Sequence, residues 1–128
     1  MIKQYVFVFN VPSFLLADLR DNEFLEKLTN IIENNINSEK MDIEFIAQHV
    51  NMSHSTLNRK IKALTGFSVN EFIRKITIHY AEKLLLTGKY TISEISFHVG
   101  INSIPYFRQC FKDEFGMTPS EYLKNLYG

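Results

Sequence analysis

The chain contains one sequence pattern twice, about fifty residues apart. The segment IEFIAQHVNMS (43–53) matches ISEISFHVGIN (92–102) at an offset of 49 residues, and GFSVNEFI from Gly66 matches GMTPSEYL from Gly116 at an offset of 50. Each copy has the pattern of a short helix, a tight turn, a second helix, a glycine and the capped start of another helix. This duplication predicts an all-α fold built from two helix-turn-helix units.

Polar capping residues indicate where these helices begin and end. Each predicted start carries a side chain that can accept a hydrogen bond from the first turn: Asp42, Ser53, Thr91, and Asn102 or Ser103. Asn51 in the first copy and Gly100 in the second stand at the tight turn, and both residue types tolerate a left-handed backbone. Gly66 and Gly116 are placed to end the second helix of each copy.

A single long helix is predicted between the two copies. Ser68 and Glu71 form an S-x-x-E capping box, and the helical period of apolar residues then continues to Leu85, before Gly88. Such a helix is roughly 28 Å long at 1.5 Å per residue. It predicts a stiff spacer between the units, spanning the linker segment 67–90.

The N-terminal part of the chain divides into two predicted segments. Residues 1–20 begin with MIKQYVFVFN, which has strand propensity; this extended segment is either a linker or an edge that pairs with another chain or domain. From Asp21, a plausible N-cap, the period becomes helical. Its apolar face comprises Phe24, Leu25, Leu28, Ile31, Ile32 and Ile36. The predicted division is therefore 1–20, a first unit at 21–66, the linker at 67–90 and a second unit at 91–128.

Composition limits the classes of function. Fourteen basic and fourteen acidic residues give zero net charge, which argues against indiscriminate nucleic-acid binding. The single cysteine, Cys110, excludes an internal disulfide and fits a reducing compartment. No apolar run approaches the ~20 residues of a membrane span, and the start lacks the pattern of a signal peptide. We therefore expect a cytoplasmic protein without membrane contact through this segment.

The second helix of each copy carries polar residues suited to DNA on the face away from its apolar stripe. In the first copy these are Ser55, Asn58, Arg59 and Lys62; in the second they are Pro105, Arg108, Gln109 and Lys112. Arg, Asn and Gln can make bidentate contacts with guanine or adenine edges in a major groove, and Lys can meet a phosphate. One such stripe alone is more often a solvated face. Its recurrence favours sequence-specific binding of double-stranded DNA over the alternative, a helical protein–protein interaction module.

The segment from Asp42 to Tyr122 resembles the DNA-binding domain of the AraC/XylS family of bacterial transcription regulators. The stretch HVGINSIPYFRQCFKDEFGMTPSEY is similar to the family pattern G-F-x-x-x-x-Y-F-x-x-x-F-K-x-x-x-G-x-T-P-x-x-Y. The lead-in DNEFLEKLTNIIENNINSEKMDIEFIAQHV is similar to the output domain of Bacteroides-type hybrid two-component regulators. The chain departs from the pattern at Ile101, where Phe is usual, and at Asn51, where Gly is usual.

The resemblance implies two homeodomain-like helix-turn-helix subdomains that read adjacent major-groove segments and regulate transcription, for example as an activator. It places base-reading roles on these positions: Ser55, Asn58, Arg59, Ile104, Pro105, Arg108 and Gln109. Phosphate contacts are implied for Lys62 and Lys112, and for the helix starts near Ser53 and Ser103. It also implies RNA polymerase, an upstream receiver domain and a second copy on DNA as partners.

No pattern predicts catalysis, a metal or a cofactor. The four histidines, at 49, 54, 79 and 98, lack the spacing of a Cys/His metal site, although His54 could meet the DNA backbone. Cys110 is expected to be a small packed residue and not a reactive thiol such as a methyl acceptor. The aromatic residues at helical spacing are expected in the core. The prediction is a binding protein and not an enzyme.

Overall fold

The computed structural model describes residues 19–127, and their regular secondary structure is entirely α-helical. The helices are α1 (Leu19–Asn34), α2 (Ile43–His49), α3 (His54–Thr65), α4 (Val69–Leu86), α5 (Ile92–His98), α6 (Ile104–Phe115) and α7 (Pro119–Tyr127). This confirms the predicted all-α class. The predicted N-terminal strand lies outside the described residues.

The chain folds as two compact units that divide between Ile76 and Thr77, inside α4. The first unit has a continuous apolar core with contributions from all four of its helices. Its fully buried members include Leu25, Leu28, Ile46, Leu57, Ile61 and Phe72. The first half of the long helix therefore belongs to the core of the first helix-turn-helix unit.

The second unit has buried residues of its own and two polar contacts between its helices. Phe107 and Phe111 of α6 are buried, with Ile95 of α5. Tyr122 donates a hydrogen bond to Glu82 at 2.5 Å, which raises the pKa of Tyr122 to about 12. His79 Nε2 lies 2.7 Å from a Glu114 carboxylate oxygen. The second half of α4 is thus fastened to α6 and α7.

The predicted helix boundaries hold in both repeats. Asp42, Ser53, Thr91 and Ser103 cap α2, α3, α5 and α6. Gly66 and Gly116 are left-handed, with φ of 82° and 80°, and end α3 and α6. The long helix has 18 residues, about 27 Å at 1.5 Å per residue.

Two details of the first predicted helix are wrong. Asp21 is not an N-cap, because α1 begins at Leu19 and places Asp21 in its first turn. Ile36 does not continue the helical face, because α1 ends at Asn34. The Asn35 side chain donates to the Ile31 carbonyl at 2.8 Å, so it satisfies an acceptor of the last turn as the chain leaves the helix.

The capping boxes should make stability fall in acid. Glu71, Glu94 and Glu121 each accept a hydrogen bond from the backbone N–H of their cap residue. Chiefly for that reason, the pKa of each carboxyl lies below its ordinary 4.5. A lowered folded-state pKa gives stability that is present above the unfolded-state pKa and is lost as pH falls through the folded-state value.

We therefore expect the denaturant midpoint to hold from neutral pH to about 5 and to decline below that. Replacing all three glutamates by glutamine should make the acid decline shallower, since the replaced groups no longer titrate. Equal acid declines in the two proteins would contradict this assignment.

Candidate nucleic-acid interface

The two helix-turn-helix motifs close through the same backbone contact. The Met52 N–H donates to the Ala47 carbonyl at 3.0 Å, and the Ile101 N–H donates to the Ser96 carbonyl at 2.9 Å. The turn requires a left-handed residue, which is Asn51 (φ 56°) in the first unit and Gly100 (φ 82°) in the second. The local geometry that presents the second helix is therefore repeated along with the sequence.

In the first unit, burial of one face of α3 determines which side chains face solvent. Leu57 and Ile61 are buried in the core of the unit. The opposite face exposes all four residues predicted to contact DNA: Ser55, Asn58, Arg59 and Lys62. These four line one surface concavity of about 610 Å³, together with Ala63 and Ser68. The helix thus presents a basic, amide-bearing surface from a fixed scaffold.

The second unit repeats this arrangement on α6. Phe107, Cys110 and Phe111 are buried. The exposed residues include the predicted Pro105, Arg108, Gln109 and Lys112, while Ile104 is half-buried. Each unit therefore exposes an arginine, an amide and a lysine on the helix that follows its tight turn.

The two cap serines, Ser53 and Ser103, already have internal partners. The Ser53 hydroxyl accepts from the Thr56 N–H at 3.2 Å, and the Ser103 hydroxyl accepts from the Tyr106 N–H at 3.3 Å. The Ser53 hydroxyl also donates to Thr56 Oγ1 at 2.8 Å, so its proton already has an acceptor. Capping uses only the acceptor side of the Ser103 hydroxyl, so its O–H can donate to an anion together with the amides at the helix start.

The two predicted phosphate-binding lysines, Lys62 and Lys112, occupy matching electrostatic environments. The capping hydrogen bonds are the main cause of the lowered pKa of Glu71 and of Glu121. The positive charge of Lys62 lowers the pKa of Glu71 further, and that of Lys112 lowers the pKa of Glu121. Each lysine therefore stands near the capped start of the next helix, where a glutamate partly balances its charge.

Sequence reasoning missed the internal contacts of the two amides, Asn58 and Gln109. The Val69 N–H donates to Asn58 Oδ1 at 3.3 Å, and Gln109 Nε2 donates to Asp113 Oδ1 at 2.7 Å. The i, i+4 spacing of Gln109 and Asp113 could have indicated the second contact.

Phe107 and Phe111 of the aromatic stripe at helical spacing are buried, as predicted, whereas some aromatic residues outside that stripe are exposed. Tyr106 is 54% exposed on α6, and Phe97 is 67% exposed on α5. Phe97 matches Gln48 of the first repeat, so a polar residue at the equivalent position could have indicated its exposure.

The remaining candidate residues have structural surroundings. Cys110 is buried, and His49 Nδ1 lies 2.9 Å from the Phe45 carbonyl oxygen. His54 is exposed in the first turn of α3. Residues 19–127 contain no group of three His, Cys, Asp or Glu side chains arranged to hold a metal ion. Within that range no helix combines the length and apolarity that a membrane crossing needs.

Comparison with known proteins matches the repeat region to one family. A family model described as a helix-turn-helix domain matches residues 46–125. Histidine kinase P4 of Formosa agariphila is 41% identical over 116 residues, which are 91% of this chain and 8% of that protein. The bifunctional transcriptional activator/DNA repair enzyme AdaA of Bacillus subtilis is 31% identical over 80% of this chain and 48% of its own length.

A solved structure agrees with both findings. The C-terminal domain of AraT, a response regulator from Geobacillus stearothermophilus, has a TM-score of 0.68 and 29% identity, covering 79% of this chain and 84% of that domain. The chain spans less than half the length of the two full-length relatives, so the likeness concerns their helix-turn-helix part. The repeated motif, its exposed basic helices and these matches place the chain in the AraC-type helix-turn-helix family of DNA-binding domains of transcription regulators.

Proposed function

We propose that this chain reads two adjacent major-groove segments of double-stranded DNA, with α3 in one segment and α6 in the next. The observation that carries the proposal is the recurrence of an exposed arginine, amide and lysine on the second helix of both units. Lys62 and Lys112 are at equivalent positions, and the arginine and the amide occupy the same two positions in opposite order. A merely solvated face has no reason to repeat this set of residue types. The mechanism is binding, without a chemical step or cofactor.

Arg59 is the principal base reader in this proposal, and Arg108 and Gln109 follow. A good bidentate contact contributes about 1–3 kcal/mol of discrimination between bases. Ser55 completes the α3 surface, while Ile104 and Pro105 offer apolar contact to thymine methyl groups. The phosphate contacts come from Lys62 and Lys112, and from the amides at the starts of α3 and α6 near Ser53 and Ser103.

We propose that the two reading helices, α3 and α6, use one binding site. Reading helices that enter successive major grooves on one DNA face are separated by one helical turn, roughly 34 Å. The recurrence of the exposed basic helix in both units supports use of both helices on one binding site.

The full-length protein is proposed to be a cytoplasmic regulator in which this domain is the output. The relatives include a histidine kinase and a response regulator, which supports an upstream receiver domain as the source of the signal. Recruitment of RNA polymerase and pairing of two copies on DNA belong to the same proposal. Pairing is favoured because zero net charge gives one copy little non-specific affinity.

The test is selection of bound duplexes from a random pool, followed by sequencing and a salt titration. We expect a defined sequence to be enriched and affinity for random DNA to be weak. Because few phosphates are neutralised, the slope of log K against log salt should be shallow, near −2 to −4 for about two to four phosphate contacts. Tight binding of a single copy to random DNA at about 200 mM salt would contradict the proposal.

A helical protein–protein interaction module is the second candidate. The observation that favours it is the exposure of Phe97 and Tyr106 on neighbouring helices of the second unit. Exposed aromatics are typical of interfaces as well as of DNA contacts. Under this alternative, replacing Phe97 by alanine removes partner binding and charge reversal at Arg59 does not.

A further inference from the structure

Each proposed reading helix, α3 and α6, carries one amide side chain that makes a hydrogen bond within the protein. One amide uses its oxygen for this bond and the other uses its nitrogen. Asn58 uses its carbonyl oxygen, which accepts from the backbone N–H of Val69 at 3.3 Å. Gln109 uses its nitrogen, which donates to an Asp113 carboxylate oxygen at 2.7 Å. A backbone N–H can only donate and an ionised carboxylate can only accept, so these partners determine the orientation of each amide.

The orientation decides which base edges each amide can read. Bidentate recognition of adenine needs the amide oxygen to accept from N6 while the amide nitrogen donates to N7. The Asn58 carbonyl oxygen is directed at the Val69 N–H, which occupies one of its two lone pairs, and the NH2 group is at the free end of the amide. Bidentate recognition of adenine would bring N6 against the same oxygen that Val69 already engages. Gln109 donates one of its two N–H groups to Asp113, so its oxygen and its second N–H remain available to a base.

The Asn58 contact is the harder of the two to release. Val69 is the first residue of α4 and is 1% exposed, so its N–H has no acceptor within the helix and is shielded from water. The neighbouring capping groups are occupied: Ser68 N–H donates to Glu71, and Glu71 N–H donates to Ser68. Asn58 therefore supplies an acceptor that Val69 cannot replace without cost.

The Gln109 contact, in contrast, joins two exposed side chains four residues apart on α6. Pairs of this kind contribute little to stability and can rearrange when DNA arrives. Release would not remove the adenine-reading edge that Gln109 already presents.

Resting on the proposed function, we propose that Asn58 reads its base only as a hydrogen-bond donor, whereas Gln109 is the amide that recognises adenine. In the major groove guanine, adenine and thymine offer acceptors, and cytosine offers the N4 donor. The first unit therefore rejects cytosine at the Asn58 position without choosing strongly among the other bases.

The experiment compares duplexes selected by the 128-residue chain and by Asn58→Asp. The aspartate keeps an oxygen for the Val69 N–H but turns the outward donor into an acceptor. We expect one position of the selected site to change its preference to cytosine. At that position the parent protein should deplete cytosine and enrich the other three bases within about threefold of each other. Gln109→Ala should instead relax an adenine preference at a different position.

Two results would overturn the assignment. A preference of the parent for adenine over guanine of about tenfold or more at the Asn58 position would require the bidentate contact. No change at any position with Asn58→Asp would mean that Asn58 touches no base. If the parent enriches no duplex at all, the proposed function itself fails, which is a distinguishable outcome.

Hydrogen exchange of the parent protein keeps the proposal testable if Asn58→Asp does not fold. The Val69 amide should stay protected to the same extent with and without the selected duplex, because its acceptor is retained on DNA. Faster exchange of that amide in the complex would show that Asn58 releases it to read the base, which contradicts the donor-only role.

Discussion

Reversing the charge at Arg59 should reduce affinity for the selected duplex by on the order of 100-fold or more. The substitution Arg59→Glu removes a bidentate base contact of about 1–3 kcal/mol and places a carboxylate against the phosphates. Arg59 is exposed and lies opposite the buried stripe of α3, so the fold should not suffer. Affinity is measured by fluorescence anisotropy on the selected site, and folding by thermal unfolding.

Lys27→Glu is the matched control. It makes the same change in net charge on an exposed position of α1, outside both proposed reading helices. We expect it to alter affinity by less than about threefold, as long-range screened electrostatics allow. Similar losses for the two variants would mean that overall charge governs binding, and the assignment of Arg59 as a base reader would be wrong.

Most helix boundaries could be predicted because each depends on neighbouring residues. The capping serine at 53 and the glycine at 66 define the ends of α3 through contacts within three or four residues of the chain. Asp21 misled the prediction for a physical reason. An acidic residue suits both the N-cap and the first helical turn, so the residue type alone cannot separate the two positions.

In the candidate site, too, the features set by neighbouring residues could be predicted from the sequence, and the contacts between distant residues could not. The exposed faces of α3 and α6 follow from helical period, since burial of Leu57 and Phe107 fixes which residues point outward. The contact between Asn58 and Val69 joins residues eleven apart, and it depends on how α4 leaves the turn after Gly66. No local pattern carries that information, so the proposed donor role of Asn58 could be inferred only from the folded arrangement.

Replacing Phe111 by alanine should destabilise the second unit by about 3–5 kcal/mol, the usual range for a fully buried phenylalanine. Phe111 is 0% exposed, its ring centroid lies 4.6 Å from that of Phe115, and it meets the Tyr122 ring edge-on at 5.6 Å. A small unit has only about 5–15 kcal/mol in total, so this loss is a large share. Chemical denaturation gives the free energy, and hydrogen exchange over residues 92–127 locates it.

Phe97→Ala is the matched control, because it removes the same side chain from a position that is 67% exposed. This substitution should change the free energy of unfolding by no more than about 0.5 kcal/mol. A second comparison, between Phe111→Ala and Arg108→Ala, separates a residue that holds α6 in place from one that contacts DNA. Phe111→Ala should lower both DNA affinity and the hydrogen-exchange protection of α6, whereas Arg108→Ala should lower DNA affinity and leave that protection intact. If Phe111→Ala lowers the free energy of unfolding by less than about 1 kcal/mol, the contacts of Phe111 with Phe115 and Tyr122 do not hold α6 in place. The second reading surface would then need another source of rigidity.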